Sequence, residues 1–237
     1  MSAPELVPRF SGSERAVHWT YAACFLTLLA TGLIMYLPAL SVLVPSRFIV
    51  RQIHLAAAFS IVTVPTLLGL LGNRRALAAD AREVDEWDAD DRLWLSDTIQ
   101  GMPTEAGRFN AGQKANAAFV VGSLIVFVLT GVIMAINIYT RILPNWLVNN
   151  ASLIHDSLTW LALFAWLGHV FLAGVYPSTR ESLRGMLTGY VRADWARRHH
   201  ARWAPQPLPA RAAPAVGDAA VARETSSVTP NQGGTAR

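Results

Sequence analysis

The sequence has few of the residues that build catalytic centres in soluble enzymes. It contains a single cysteine, Cys24, and no cysteine motif for an iron–sulfur cluster. A glycine-rich loop for a nucleotide phosphate and a nucleophile constellation are also missing from the sequence. These absences exclude an iron–sulfur protein and leave no sign of a nucleotide-dependent or nucleophile-dependent enzyme. Cys24 lies in an apolar run and is interpreted as a small apolar residue.

Charge is also scarce. Only 15% of the 237 residues are charged, whereas 52% are hydrophobic. The hydrophobic residues are gathered in blocks, which indicates a membrane protein. The formal net charge of +4 requires no nucleic acid partner, because membrane topology explains where the basic residues lie.

Four blocks are long enough to cross a lipid bilayer, which requires about 20 mainly apolar residues. They cover residues 16–37, 48–71, 116–138 and 152–176. A cleavable signal peptide is the alternative interpretation of the first block. That block is too long for a signal, however, and it is interrupted by His18 and Trp19 instead of ending in a small-residue cleavage site. We therefore predict an all-α integral membrane protein, a four-helix bundle.

The positive charges predict the orientation of the bundle. If the N-terminus is cytoplasmic, the outer loops contain only Arg47, Arg51 and Arg141, and the other basic residues of the loops and tails lie inside. We expect an up-down-up-down topology with both termini cytoplasmic.

The remaining sequence divides into segments of different character. We expect a cytoplasmic tail at 1–15, the membrane domain at 16–176 with a long inner loop at 72–115, a cytoplasmic basic segment at 177–203, and a disordered tail at 204–237. No internal sequence repeat is evident.

Two polar stretches in these segments are expected to be solvated. The acidic, tryptophan-bearing stretch at 80–97 is typical of a surface segment or a short helix at the membrane interface. His199 and His200 lie in the arginine-rich stretch WARRHHARW, for which we expect a solvated or lipid-facing inner surface.

Four histidines lie within the predicted spans: His18, His54, His155 and His169. Fourteen residues of α-helix return to within about 40° of the starting direction and rise about 21 Å, so His155 and His169 face the same way at two depths. The predicted topology puts His155 near the outer surface with His54. It puts His169 near the inner surface with His18.

These matched depths favour a metal cofactor over isolated structural histidines. Ionisable groups inside membranes are rare and usually functional. Two neutral imidazoles that face each other from different helices suit an iron above and below a porphyrin, so two levels predict two b-type haems. Zinc would require about four ligands at one point. Covalent haem attachment would require C-x-x-C-H, which the sequence does not contain.

Small residues in the same helices leave room for a planar cofactor, although plain helix packing explains them equally well. They are Gly32, Ala56, Ala57, Ala58, Gly122, Gly131, Gly168 and Gly174.

The stretch RFNAGQKANA, at 108–117, precedes the third span. The Asn110 amide and the backbone N–H of Gly112 are groups that can hydrogen-bond a quinone carbonyl, with Gln113 and Lys114 as neighbours. The alternative interpretation is a helix N-cap with a positive anchor, which spacing alone favours.

The chain resembles the gamma subunit of respiratory formate dehydrogenase, a di-haem cytochrome b that anchors its complex in the bacterial inner membrane. The resemblance covers about residues 8–200. It is carried by R-x-x-H-W at 15–19, R-x-x-H at 51–54, F-N-x-G-Q-K at 109–114 and H-D-x₁₂-H at 155–169. The first two motifs also occur in membrane cytochromes of hydrogenases, whereas F-N-x-G-Q-K is more specific.

The resemblance implies a role for each candidate residue. His54 and His155 would bind the outer haem iron, and His18 and His169 the inner one. Asn110, Gly112 and His169 would form the quinone site.

The resemblance also implies two partner subunits. An iron–sulfur beta subunit would deliver electrons from a catalytic molybdenum or tungsten alpha subunit, because this chain contains no formate-oxidising site. Two alternatives remain: the cytochrome b subunit of a nickel–iron hydrogenase or related reductase, and a proton-coupled transporter. A transporter usually needs acidic residues along its path, and Asp156 is the only carboxylate well inside a predicted span.

Overall fold

The computed structural model describes residues 4–101 and 106–203. It confirms four helices long and apolar enough to cross a membrane. They are α1 (Gly12–Tyr36), α3 (Arg47–Leu71), α6 (Ala111–Thr140) and α7 (Asn145–Val170). A short helix, α2 (Pro38–Ser41), follows α1, and a π-helical turn, Phe171–Val175, continues α7.

The helices begin where side chains cap free backbone N–H groups. Ser11 and Glu14 form a capping box at the start of α1, and Asn110 and Gln113 form another at the start of α6. The predicted starts at 116 and 152 were too late, because hydropathy misses the polar first turns of α6 and α7. Arg141 ends α6 in the left-handed conformation, with φ of 54°.

The long helices associate mainly in two pairs. Helix α1 packs along α3, α6 packs along α7, and α7 also contacts α1. Large apolar side chains such as Phe59, Leu129 and Phe164 remain exposed on the helix surfaces. Such exposure along apolar helices fits a protein whose surrounding solvent is lipid.

The connection between α3 and α6 is structured. It forms α4 (Arg74–Asp85) and α5 (Ala89–Gln100), so the acidic stretch is helical as one prediction allowed. The expectation of a solvated segment was wrong for Asp91. Its carboxylate is buried and pairs with the Lys114 ammonium at 2.7 Å, which joins α5 to α6.

The terminal segments add two short strands to this mostly helical chain. Strand β1 (Leu6–Pro8) pairs antiparallel with β2 (Tyr190–Arg192), and the helices α8 (Glu181–Thr188) and α9 (Ala193–His199) flank β2. Buried side chains form a small core there, around Val7, Val191 and Trp195. The described part of the predicted tail, residues 4–15, is therefore part of a folded unit with the 177–203 segment. The tail predicted at 204–237 lies outside the described residues.

His200 was also predicted wrongly, because its side chain is only 2% exposed. Its Nδ1 lies 2.7 Å from the Gly107 carbonyl oxygen, so it donates as the neutral Nδ1–H tautomer. Burial first, and then the nearby Arg9 charge, lower the pKa of His200 to about 3. The residue holds α9 to the segment that leads into α6.

Candidate functional site

The four membrane histidines meet as two pairs. The His18 ring on α1 and the His169 ring on α7 have centres 6.2 Å apart. The His54 ring on α3 and the His155 ring on α7 have centres 6.4 Å apart. Helix α7 therefore contributes one imidazole to each pair.

Each separation fits one metal ion between two rings. An imidazole nitrogen lies about 1.1 Å from its ring centre and binds a metal at about 2 Å, so two opposed ligands place their ring centres roughly 6.3 Å apart. Within the described residues, no group of three or more His, Cys, Asp or Glu side chains is arranged to hold a metal. The two-imidazole arrangement suits haem, in which the porphyrin supplies the other four iron ligands.

A threonine hydroxyl holds the His54 ring. Thr31 Oγ1 lies 2.8 Å from His54 Nδ1 and donates its own hydrogen to a carbonyl oxygen of its helix, that of Thr27 at 2.6 Å. A hydroxyl has one hydrogen, so His54 Nδ1 must be the donor in their contact. The other ring nitrogen, Nε2, then carries the free lone pair that a metal needs.

The same arrangement recurs at His155. Thr130 Oγ1 lies 2.8 Å from His155 Nδ1 and donates to the Val126 carbonyl oxygen at 2.7 Å. Sequence reasoning missed both threonines. The signal was a short repeat, T-G-x-I-M, which occurs at 31–35 and again at 130–134.

The glycines of this repeat lie beside the same imidazoles. A Cβ added at Gly32 would stand 3.6 Å from His54 Cε1, and one added at Gly131 would stand 3.6 Å from His155 Cε1. These are ordinary contact distances, so the ring alone does not require glycine at either position.

The His18–His169 pair has different surroundings. The edge of Trp19 meets His18 with ring centres 5.2 Å apart, and Trp19 Nε1 donates to the Met186 carbonyl oxygen at 3.0 Å. The π-helical turn begins two residues after His169, a feature that often accompanies functional sites. No hydrogen bond to a ring nitrogen of His18 or His169 comes from residues 4–101 or 106–203.

The start of α6 contains the predicted quinone residues. Asn110 Oδ1 accepts the Gln113 N–H at 2.9 Å, and Gln113 Oε1 accepts the Asn110 N–H at 3.0 Å. The N-cap interpretation is thus confirmed. The cap uses only the side-chain oxygen of Asn110. The amide nitrogen donates no hydrogen bond to a described residue.

Gly112 lies directly under an aromatic ring. A Cβ at this position would stand 3.1 Å from Trp94 Cη2 and 3.2 Å from Cζ3, closer than most side-chain contacts. Any larger residue here would have to push Trp94 back by a few tenths of an ångström, so glycine allows the close approach of Trp94 from α5. The backbone N–H of Gly112 remains one of the first-turn donors that a helix cannot satisfy itself.

Lys114 is not directed at this N-terminus. Its ammonium is buried, donates to the Glu86 carbonyl oxygen at 2.8 Å and pairs with Asp91. Among the described residues, no hydrogen bond joins Asn110 or Gly112 to His169. The structure therefore brings the four histidines together in pairs and leaves the α6 start as a separate element.

A buried charge cluster lies just before Asn110, and sequence reasoning missed it. Arg108 pairs with Glu14 of α1, and its Nη1 lies 2.8 Å from Asp80 Oδ1 of α4, a contact without hydrogen-bond geometry. Glu83 Oε1 accepts the backbone N–H of Arg108 at 2.6 Å. Arg9 lies almost fully buried beside Arg108 and exchanges side-chain to carbonyl hydrogen bonds with it.

Burial and the neighbouring charges shift the pKa values in this cluster. Burial, followed by a hydrogen bond with Glu14, raises the pKa of Asp80 to about 8. Burial and the Arg108 charge lower the pKa of Arg9 to about 9. Three carboxylates, those of Glu14, Asp80 and Glu83, face two guanidinium groups, so one proton on Asp80 makes the cluster neutral.

Comparison with known proteins gives one family and a consistent set of relatives. The model of the family described as prokaryotic cytochrome b561 matches residues 9–189. The chain is 25% identical over 209 residues to the nitrate-inducible formate dehydrogenase cytochrome b556(Fdn) subunit of Escherichia coli K12, covering 86% of this chain and 92% of that protein.

Two further relatives have similar names. The formate dehydrogenase cytochrome b556 subunit of Haemophilus influenzae is 23% identical over 203 residues, covering 80% of this chain and 78% of that protein. The formate dehydrogenase cytochrome b556(fdo) subunit of Escherichia coli K12 is 23% identical over 216 residues, covering 86% and 94%.

Proposed function

This chain belongs to the prokaryotic cytochrome b561 family, and we propose that it is the membrane cytochrome b subunit of a formate dehydrogenase. In this proposal it passes electrons through two b haems to a membrane quinone. The relatives that carry this name match most of the chain and most of their own length.

The observation that carries the proposal is the separation within the two histidine pairs. Ring centres 6.2 and 6.4 Å apart fit an iron between each pair. In both Thr-held rings, the tautomer leaves Nε2 free to bind that iron. When bound, haem iron takes up and releases one electron at a time.

The direction of transfer follows from the distribution of charge along the sequence. With both termini cytoplasmic, the His54–His155 pair lies toward the outer surface of the inner membrane and the His18–His169 pair toward the cytoplasm. An iron–sulfur beta subunit would deliver electrons to the outer haem, from an alpha subunit that oxidises formate at molybdenum or tungsten.

The quinone would bind at the cytoplasmic end, near Asn110, Gly112 and His169. Among the described residues nothing accepts a hydrogen from the Asn110 amide or from the Gly112 N–H, so both groups can donate to a quinone carbonyl oxygen. Protons for quinone reduction would come from cytoplasmic water, so the transfer would add to the membrane potential.

A reduced-minus-oxidised absorbance spectrum of the purified protein tests the core of this proposal. Haem bands with two haems per chain are expected. A haem-free protein would contradict the proposal and favour a proton-coupled transporter. Identification of the subunits that co-purify with the chain then tests the assignment to formate dehydrogenase. We expect an iron–sulfur subunit and a molybdenum or tungsten subunit. A nickel–iron hydrogenase in their place would overturn the assignment.

A further inference from the structure

We infer that Thr31 and Thr130 are positioning residues that orient the His54 and His155 imidazoles and lower the reduction potential of the iron between them. This inference rests on the proposed function in one respect, which is that the His54–His155 pair binds haem.

The first step is the count of hydrogens at each hydroxyl. Thr31 Oγ1 donates to a carbonyl oxygen in the preceding turn of α1, and Thr130 Oγ1 does the same in α6. Each hydroxyl therefore offers only a lone pair to the imidazole, at 2.8 Å in both cases. Both rings are fixed as Nδ1–H donors with Nε2 directed away from the threonine.

The second step is the burial of these bonds. The relative exposure is 7% for Thr31 and 6% for Thr130, so water has little access to compete for the imidazole N–H. At His155, loss of the acceptor would leave a buried N–H without a partner among the described residues, which destabilises the bound orientation of the ring. Each ring is thus held by its threonine, and the Leu28 carbonyl oxygen is a second acceptor near the His54 ring.

The third step is the repetition of the arrangement. The two T-G-x-I-M sequences lie on different helices and hold histidines 23 and 25 residues further along the chain. Both threonines use the same backbone acceptors, at the fourth and third preceding residues. A chance packing contact would not be expected to recur with the same donor, acceptor and distance.

The electronic consequence follows from ligand chemistry. An imidazole that donates its Nδ1–H becomes a stronger electron donor through Nε2. A stronger donor stabilises oxidised iron more than reduced iron, and it therefore lowers the reduction potential. Both ligands of the His54–His155 pair are held in this way, so their effects on one iron add.

The consequence for transfer is a preferred direction. Lowering the potential at the His54–His155 pair favours electron transfer away from it, toward the His18–His169 pair. This is the direction that the proposed function requires, with the quinone at the end of the route.

The test uses single and double threonine variants of the full-length protein with its haems. Thr31→Val, Thr130→Val and the double variant remove the hydroxyls while nearly preserving shape. Thr31→Ser and Thr130→Ser keep a hydroxyl. Thr27→Val is the matched control, because Thr27 bonds a carbonyl of the same helix, that of Ala23, at 2.9 Å, and its hydroxyl bonds no histidine among the described residues.

The readouts are haem content and a potentiometric titration of each haem, neither of which depends on turnover. In the Val variants the reduction equilibrium of one haem is expected to shift toward the reduced form by up to about tenfold, which is about 59 mV for one electron. The double variant should shift further. The other haem, the Ser variants and Thr27→Val should stay near wild type.

Each other outcome has a defined meaning. Full haem content with unchanged potentials in the double Val variant would overturn the inference. Loss of one haem in the Val variants, with retention in the Ser variants, would support the orienting role. An equal loss of haem in the Thr27→Val control would overturn the inference, because the loss would then be a general effect of packing. Absence of haem from the wild-type protein would instead contradict the proposed function.

Discussion

Asn110 and Gln113 satisfy each other at the start of α6, because each side-chain oxygen accepts the backbone N–H of the other residue, at 2.9 and 3.0 Å. This reciprocal capping uses the oxygen of the Asn110 amide and leaves the nitrogen available. A structural role and a role in quinone binding are therefore compatible at this residue, and different substitutions separate them.

Asn110→Asp should slow haem reoxidation by quinone without unfolding the start of α6. Asp is as good an N-cap as Asn, but an ionised carboxylate has no hydrogen to donate. The lost bond contributes about 0.5–1.5 kcal/mol, and a displaced quinone costs more in rate. Stopped-flow reoxidation of the dithionite-reduced protein by a soluble quinone analogue measures the effect.

Asn110→Leu provides the comparison, because it removes both the donor and the cap. It should slow reoxidation similarly and also lose about 1 kcal/mol of stability. Wild-type reoxidation rates in both variants, at full haem content, would remove Asn110 from the quinone site.

Alanine variants of the four membrane histidines should each deplete one haem. His54→Ala and His155→Ala should remove the same haem signal, because their rings face each other at 6.4 Å. His18→Ala and His169→Ala should remove the other signal. Haem content falling by about half in each single variant is expected from two bis-histidine irons. If His18→Ala and His54→Ala deplete the same signal, the pairing is not as proposed.

The histidines were accessible from the sequence because polar rings inside apolar spans are rare. Thr31 and Thr130 share the T-G-x-I-M repeat, but the repeat alone does not connect them to histidines that lie more than 20 residues further along the chain. The β1–β2 ladder was missed for a similar reason. Its two strands, Leu6–Pro8 and Tyr190–Arg192, have three residues each and lie far apart in the sequence. Local patterns predicted the helices, whereas contacts distant in sequence required the structure.

Lys114→Met should loosen α5 from α6. The substitution leaves the Asp91 carboxylate buried without its cation, and breaking one side of a buried ion pair typically costs about 3–5 kcal/mol. Because Trp94 of α5 lies over Gly112, the start of α6 should become more accessible to protease. Limited proteolysis of the α4–α5 region and thermal unfolding measure these effects. The double variant Lys114→Met/Asp91→Leu is the control, and it should recover part of the loss.

Asp80 predicts how the stability of this region depends on pH. Its pKa in the folded protein is raised from 3.8 to about 8, because the carboxyl is buried and hydrogen-bonds Glu14. The folded state therefore binds a proton that the unfolded state releases. This contribution is fully present below about pH 4 and is lost progressively as pH rises through about 8.

Asp80→Asn should remove this loss of stability at high pH, because the amide stays neutral and keeps a hydrogen to donate to Glu14. The difference in stability between the variant and the wild-type protein should grow from pH 6 to pH 9, by at least about 1 kcal/mol, or about 2–4 °C in melting temperature. Asp85→Asn is the matched control, because Asp85 is an exposed carboxylate of the same helix, α4, and lies outside the buried cluster. A constant difference across this pH range would mean that Asp80 is already ionised at pH 6, and that the excess proton of the cluster lies elsewhere.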